Sequence, residues 1–344
     1  MRVLLICTIV FAISFGGVYL LRKWILRKDI LDIPNERSSH TEPTPRGGGL
    51  VIVLVVLGWY LINGFFFEGQ FLWTYFVGGI LIALVSWLDD LFSISSGWRI
   101  LVHSLASLLV ILGISGIRVV YLPFGFIFDP GVFGLVLTFI WIIWLTNAFN
   151  FMDGIDGIAG LQAVTAGFGW LLAGWLFNFP QTGLFGGVVA CSAFGFLLFN
   201  WEPARIFMGD VGSAFLGYTL AVLPILAGHE TKDERSYLPL FAVGLVWFFL
   251  FDAGFTLAKR LLRVEKVWEP HRQHFYQKLV RAGYSHSFVA GLYGGLSVLT
   301  SALIFICLNL GSEYDVLLVL GLVFFSFGLF IFSWKVKRVK SEAG

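Results

Sequence analysis

Apolar residues recur in eleven long runs, near 3–21, 48–66, 72–88, 100–116, 132–149, 158–176, 183–199, 212–228, 238–258, 288–309 and 314–334. A helix needs about 20 apolar residues to cross a bilayer, so each run reads as a span, the seventh a short one. Lipid offers no partner to open backbone groups, which leaves helices or a closed barrel. The alternating apolar-out, polar-in pattern of a membrane barrel is missing. The expected fold class is therefore an all-α polytopic integral membrane protein with about eleven transmembrane helices. Residues 1–344 form one transmembrane domain, with polar loops on one side near 22–47, 89–99, 150–157, 200–211 and 259–287.

Composition agrees with the pattern. Length alone would suggest two or three soluble domains, but 58% of the 344 residues are hydrophobic and only 13% charged. Soluble domains carry about 25% charged residues. Nineteen of the 23 basic residues fall on one side if the N-terminus faces the periplasm and the C-terminus the cytoplasm, as the positive-inside rule requires. The charges of "LRKWILRK" follow the first run, so that run is not read as a cleaved signal peptide. Cys7, Cys191 and Cys307 all lie in apolar runs and make neither a disulfide framework nor a zinc site. The net charge of +2 reflects a basic inner surface suited to anionic headgroups and gives no support to nucleic-acid binding.

The outer loops are short, except for a mostly apolar stretch at 117–131 that reads as an extended or interfacial hairpin. The inner loops hold the chemistry. "DIPNERSSHTEPTPRGGG" (32–49) offers Arg37, His40 and Arg46 as anion contacts, and its glycines, Gly48 among them, resemble a helix-start anion site. Asp89 and Asp90 end the third run, where the helix dipole disfavours acids. Adjacent helical positions point about 100° apart, so the two should take different roles. "NAFNFMDGIDGIAG" (147–160) sets Asn147, Asn150, Asp153 and Asp156 among glycines. "FMGDVGSAFLGY" (207–218) carries Asp210, and Asp252 interrupts the ninth run. An intramembrane acid costs roughly 2.5–3.5 kcal/mol on insertion scales, which makes Asp252 a functional candidate. The last inner loop adds His271, Arg272 and His274, with Tyr276 and Gln277.

Carboxylates gathered at one face repel unless a cation joins them. Oxygen donors without clustered cysteine point to Mg2+ or Mn2+. An inward-facing site with a metal, basic groups and lipid-accessible walls suits a reaction between a cytoplasmic nucleotide and a lipid phosphate. An ion-coupled transporter or lipid-carrier flippase is the alternative, since buried acids often couple ions. Apart from Asp252 and His103, however, the ionisable groups cluster at one interface.

These motifs, in this order from residue 32 to residue 285, resemble those of the polyprenyl-phosphate N-acetylhexosamine-1-phosphate transferases, and eleven spans are similar to the superfamily's O-antigen and teichoic-acid branches. The resemblance implies transfer of an N-acetyl-amino-sugar 1-phosphate from a UDP-sugar to undecaprenyl phosphate, with release of UMP, at the cytoplasmic side of the bacterial inner membrane. This is the first membrane step of O-antigen or other cell-envelope polysaccharide synthesis. By the same resemblance Asp89 and Asp90 match the pair associated with Mg2+ and the lipid phosphate. Asn150, Asp153 and Asp156 match the nucleotide-proximal motif, and Asp210 matches the metal ligand; Asp153, Asp156 and Asp89 are further metal candidates. His274 matches the first histidine of a histidine-rich run whose other members are replaced here by Tyr276 and Gln277. That variant resembles the O-antigen-initiating subgroup associated with 6-deoxy sugars such as FucNAc or QuiNAc. Two mechanisms stay open, direct attack and a covalent aspartyl-phosphate, as does the choice between monomer and homodimer.

Overall fold

The computed structural model describes residues 1–28, 31–33, 42–66, 72–117, 119–231, 235–266, 271–310 and 314–342. Every apolar run has become helix. The helices are α1 (Arg2–Arg27), α2 (Gly49–Phe66), α3 (Trp73–Phe92), α4 (Ser96–Ile114), α5 (Phe133–Phe151), α6 (Ile158–Leu176) and α7 (Pro180–Asn200). They continue as α8 (Asp210–Thr231), α9 (Leu238–Leu245), α10 (Trp247–Leu262), the short α11 (Phe275–Arg281), α12 (His286–Leu310) and α13 (Asp315–Glu342). Among the described residues nine helices are long and apolar enough to cross a membrane, or ten when the bent pair α9–α10 counts as one span. Apolar α2 is shorter.

A few strands depart from a purely helical fold. β1 (Leu31–Asp32) pairs antiparallel with β2 (Thr44–Pro45). At the other end of the molecule β3 (Val119–Tyr121), β4 (Ile127–Phe128) and β5 (Arg235–Ser236) form a sheet in the order β4-β3-β5.

Helix α8 is the hub. It is buried continuously from Val211 to Ala227 and packs against α2, α3, α5, α7 and α9. Lipid tails are as apolar as leucine, so helix association there relies on close packing through small residues. A Cβ on Gly49 would collide with the Gly212 backbone, which marks the seam between α2 and α8. Large apolar side chains such as Leu112, Trp175 and Phe324 are mostly exposed, as a lipid-contacting surface requires.

The run 238–258 is not one straight helix. It bends by 75° between α9 and α10. A break inside a membrane frees backbone carbonyls, which neighbouring side chains must satisfy. Gln162 Nε2 donates to Leu245 O at 2.8 Å and Thr300 Oγ1 to Gly244 O at 3.2 Å. Ser297 Oγ in turn holds Gln162 Oε1 at 2.8 Å. The sequence pattern shows apolarity but not these clamps, so the bend escapes it.

The α2–α8 seam yields a test. Gly49→Val should lower the thermal unfolding midpoint of the detergent-solubilised protein, by the roughly 1–3 kcal/mol typical of overpacking. Gly58→Val, at a position where an added Cβ would meet nothing within 4 Å, should leave the midpoint nearly unchanged. Equal shifts would remove the seam from the account.

Candidate active site

The C-terminal end of α3 and the N-terminal ends of α4 and α8 meet at one place, and so do the inner loops. Asp90 is the centre. Its Oδ1 accepts the Asp210 N–H at 2.9 Å and its Oδ2 the Val211 N–H at 3.1 Å, so it caps α8 from another helix. Unpaired N–H groups and the positive end of the dipole make a helix N-terminus the natural seat for a carboxylate. The approach is close: Gly209 has φ +78°, and a Cβ there would lie 2.7 Å from Asp90 Oδ2.

Two arginines complete a charge cluster. Arg46 Nη2 lies 2.7 Å from Asp90 Oδ1 and 3.0 Å from Asp210 Oδ1. Arg99 Nη1 lies 2.7 Å from Asp89 Oδ2 and 3.4 Å from Asp210 Oδ2. The adjacent acids Asp89 and Asp90 do take different partners. Asp210 is gripped from both sides yet stays partly accessible.

Asp153, in the turn after α5, is half-buried, and its carboxylate accepts no hydrogen bond from a described residue. Burial, and then the Asp210 carboxylate, raises its pKa well above the ordinary range. Asp156 turns elsewhere. Its Oδ2 accepts the Ala204 N–H at 3.0 Å and lies 3.4 Å from His286 Nδ1, which ties the turn to α12 and to the loop before α8. Asn150 Nδ2 donates to Ser213 Oγ at 3.0 Å. Asn147 Nδ2 donates to Ile143 O at 2.8 Å and meets His103 Nδ1 at 3.3 Å.

Beside the cluster lies a cavity of about 570 Å³, within the range of small-molecule sites. Arg99, Asn147, Asn150, His271, His274 and Gln277 give it polar walls; Ile100, Ile143, Trp144, Phe151 and Leu257 give it apolar ones. Burial and the neighbouring His274 lower the His271 pKa to about 4, so that ring is neutral near pH 7. His274 is fixed by Asp252, whose Oδ1 lies 3.1 Å from His274 Nδ1.

The family model described as glycosyl transferase family 4 matches residues 72–228, from the start of α3 through nearly all of α8. A Bacillus subtilis (strain 168) protein named probable undecaprenyl-phosphate N-acetylglucosaminyl 1-phosphate transferase is 29% identical, over 74% of this chain and 71% of the relative. The undecaprenyl-phosphate alpha-N-acetylglucosaminyl 1-phosphate transferase of Salmonella typhi is 27% identical, over 93% of this chain and 89% of the relative. The decaprenyl-phosphate N-acetylglucosaminephosphotransferase of Mycobacterium leprae (strain TN) is 28% identical, over 76% and 72%. Over most of its length the chain is similar to proteins named as polyprenyl-phosphate N-acetylglucosamine-1-phosphate transferases.

Several sequence expectations need correction. Asp252 is read from sequence as a substrate contact, but it is fully buried and saturated by protein donors. Besides His274 it accepts the Phe275 and Tyr276 N–H groups at 2.8 and 3.2 Å, the Tyr293 hydroxyl at 2.6 Å and the Thr256 hydroxyl at 3.3 Å. It is a positioning residue for His274. Gly48 does not present its N–H to an anion: Gly47 and Gly48 donate to Phe207 O at 3.1 and 2.9 Å, and Gly49 to Met208 O at 2.9 Å. Tyr276 is buried, with its hydroxyl on Phe151 O at 3.1 Å. Arg272 is half-buried. Arg37 and His40 lie outside the described residues. Nor do all the acids converge. Among the described residues no group of three or more His, Cys, Asp or Glu side chains stands ready to hold a metal ion.

Sequence reasoning missed Arg99 as a site residue, counting it only as an inner-side charge. A signal existed: Arg99 sits near the start of α4, where the dipole disfavours a cation, just after acids at the disfavoured end of α3. Two misplaced charges across a short turn imply each other. The roles of Ser213, His286 and Tyr293 had no such signal.

The two kinds of acid should respond oppositely to neutralisation. A carboxyl whose folded pKa is raised opposes folding once the pH exceeds its ordinary value. Asp153→Asn should therefore raise the thermal midpoint of substrate-free, metal-free protein at pH 8, and the gain should fade as the pH drops toward about 4. Asp252→Asn turns an N–H donor toward other donors and should lower the midpoint, at about 1–3 kcal/mol for each group left unpaired. Thermal unfolding across pH checks both; parallel responses would contradict the assignment.

Proposed function

We propose that this chain transfers an N-acetyl-amino-sugar 1-phosphate from a UDP-sugar to undecaprenyl phosphate, giving undecaprenyl-diphosphate-sugar and UMP. The observation that carries the reading is the cavity's double character. Cationic and amide groups line it next to the carboxylate–arginine cluster, and its remaining wall is apolar. A phosphorylated lipid and a nucleotide diphosphate can both reach such a place. The relatives above are named as N-acetylglucosamine-1-phosphate transferases of undecaprenyl or decaprenyl phosphate, which supports the reaction class.

A phosphate monoester has a second pKa near 6 and is largely dianionic at neutral pH, so direct attack needs little help from a base. A lipid-phosphate oxygen bonds to the sugar-bearing phosphorus, and the bond from that phosphorus to the bridging oxygen of UMP breaks. The protein's task is to hold two anions together and to neutralise the departing charge. Arg99 faces the cavity and is placed to accompany a phosphate. Arg46, on Asp90 and Asp210, keeps those acids compensated. His274, braced by Asp252, and neutral His271 line the opposite wall. Asn147 and Asn150 offer neutral polar contacts to the donor, and Asp89 orients Arg99.

The donor set fits Mg2+ or Mn2+ in chemistry. Asp210 is partly exposed, Asp153 meets no hydrogen-bond donor among the described residues, and both are hard oxygen ligands. Asp210 and Asp153 would hold the ion together with substrate phosphates, and the ion would supply neutralisation of the diphosphate; Asp89 is instead held by Arg99 at 2.7 Å. Asp156 is less suited, being engaged by Ala204 and His286.

Eleven crossings are supported by the eleven apolar runs, an outside N-terminus and a cytoplasmic site by the distribution of basic residues, and an inner-membrane location by the resemblance of the motifs. A 6-deoxy donor, and with it O-antigen initiation, is supported by Gln277 lining the cavity while Tyr276 is withdrawn from it. The transporter reading loses ground because Asp252 is closed off by protein donors.

The test is a panel of UDP-HexNAc donors, 6-deoxy sugars included, given to purified protein in nanodiscs with undecaprenyl phosphate. Release of UMP together with a lipid-diphosphate-sugar is expected, lost on chelation and restored by Mg2+. Asp153→Asn and Arg99→Ala should each cut turnover by roughly 100-fold or more. No product with any donor would refute the proposal.

A further inference from the structure

The end of the molecule opposite the carboxylate cluster carries an unusual hairpin. β3 and β4 pair antiparallel, and Leu122 N–H donates to Phe126 O at 2.8 Å to close the turn between them. From Val119 to Phe133 the only charged residue is Asp129, whose Oδ1 is occupied by the Gly131 N–H at 2.8 Å. Phe124, Phe126, Ile127, Phe128, Val132 and Phe133 are all exposed, Phe126 to 67% and Val132 to 74%. An apolar patch of this kind on a loop in water would be an aggregation hazard, so something covers it.

Three observations say what. First, the hairpin is pinned at the level of the helix ends. Phe124 N–H donates to Asp315, the first residue of α13, at 2.8 Å. Tyr121 stacks on Tyr237, just before α9, with ring centroids 5.0 Å apart. Second, exposed apolar side chains continue on the spans at both ends of the hairpin, Leu112 in the last turn of α4 and Phe133 and Val136 in the first turn of α5. Third, β4 is an edge strand of its sheet. An open edge cannot sit in the hydrocarbon core, where its free N–H and C=O groups would find no partner. The side chains call for lipid and the backbone calls for water; only the boundary between headgroups and acyl chains provides both.

We propose that residues 122–133 are an interfacial anchor whose partner is phospholipid, in the leaflet opposite the carboxylate cluster. Its phenylalanine and aliphatic side chains sink into the acyl boundary and hold the outer ends of α9 and α13 at a set depth. The proposal goes beyond the transfer reaction and stands whatever reaction the protein catalyses.

The test uses the full-length protein in phosphatidylglycerol–phosphatidylcholine nanodiscs. Spin labels are placed at Phe126→Cys and Val132→Cys on a background with Cys7, Cys191 and Cys307 replaced by alanine, and at Gln181→Cys as the exposed control at the same end. The ratio of relaxation by oxygen to relaxation by a water-soluble nickel chelate should be several-fold higher at 126 and 132 than at 181. Equal ratios would place the hairpin in water and overturn the proposal. Protection of 126 and 132 from both reagents would mean a protein neighbour and overturn it equally. A second measurement leaves the natural cysteines in place: p-benzoylphenylalanine at 126, irradiated, should yield chain–phospholipid adducts by mass, whereas chain–chain adducts would assign the patch to a second copy.

Discussion

The site is organised by one carboxylate placed on the end of another helix. Asp90 leaves α3, caps α8 and holds Arg46 from the strand before α2. Three segments distant in sequence therefore share a single buried charge. The buried helix α8 could not start where it does without an acceptor for its first N–H groups. The acceptor brings a charge, and the charge brings an arginine. The partly exposed Asp210 inherits its position from that chain of requirements.

The remaining acids divide by how their charge is met. Asp252 and Asp156 are satisfied by protein donors and act as fasteners, one for the residues around His274, the other between the 153–157 turn and α12. Asp153 is the opposite case, half-buried beside Asp210 with no donor among the described residues. Proteins tolerate such a group where function needs it. A polar cluster that looks uniform in sequence thus resolves into acids met by protein donors and one that meets none among the described residues.

This division explains what could be read in advance. Apolar runs locate helices because lipid forces the backbone to satisfy itself locally, so the long apolar helices were legible from hydropathy alone. The apolar hairpin at 117–131 was legible too. Pairing across space was not. Nothing in the string tells that Asp252 meets Tyr293 and the Phe275 N–H, or that Gly48 lends its N–H to Phe207. The bend at Val246 depends on Gln162 and Thr300, residues from α6 and α12 whose reach only three dimensions show.

The bracing of the last inner loop has an evolutionary side. Arg260 holds Glu265 at 3.0 Å, and Gln273 reaches the same carboxylate at 2.8 Å. Asp252 fastens residues 274–276 from within α10. His274 takes its position from these ties. Asp252 and the residues it fastens must therefore change together, because replacing one alone would leave the other's polar atoms stranded in a buried setting.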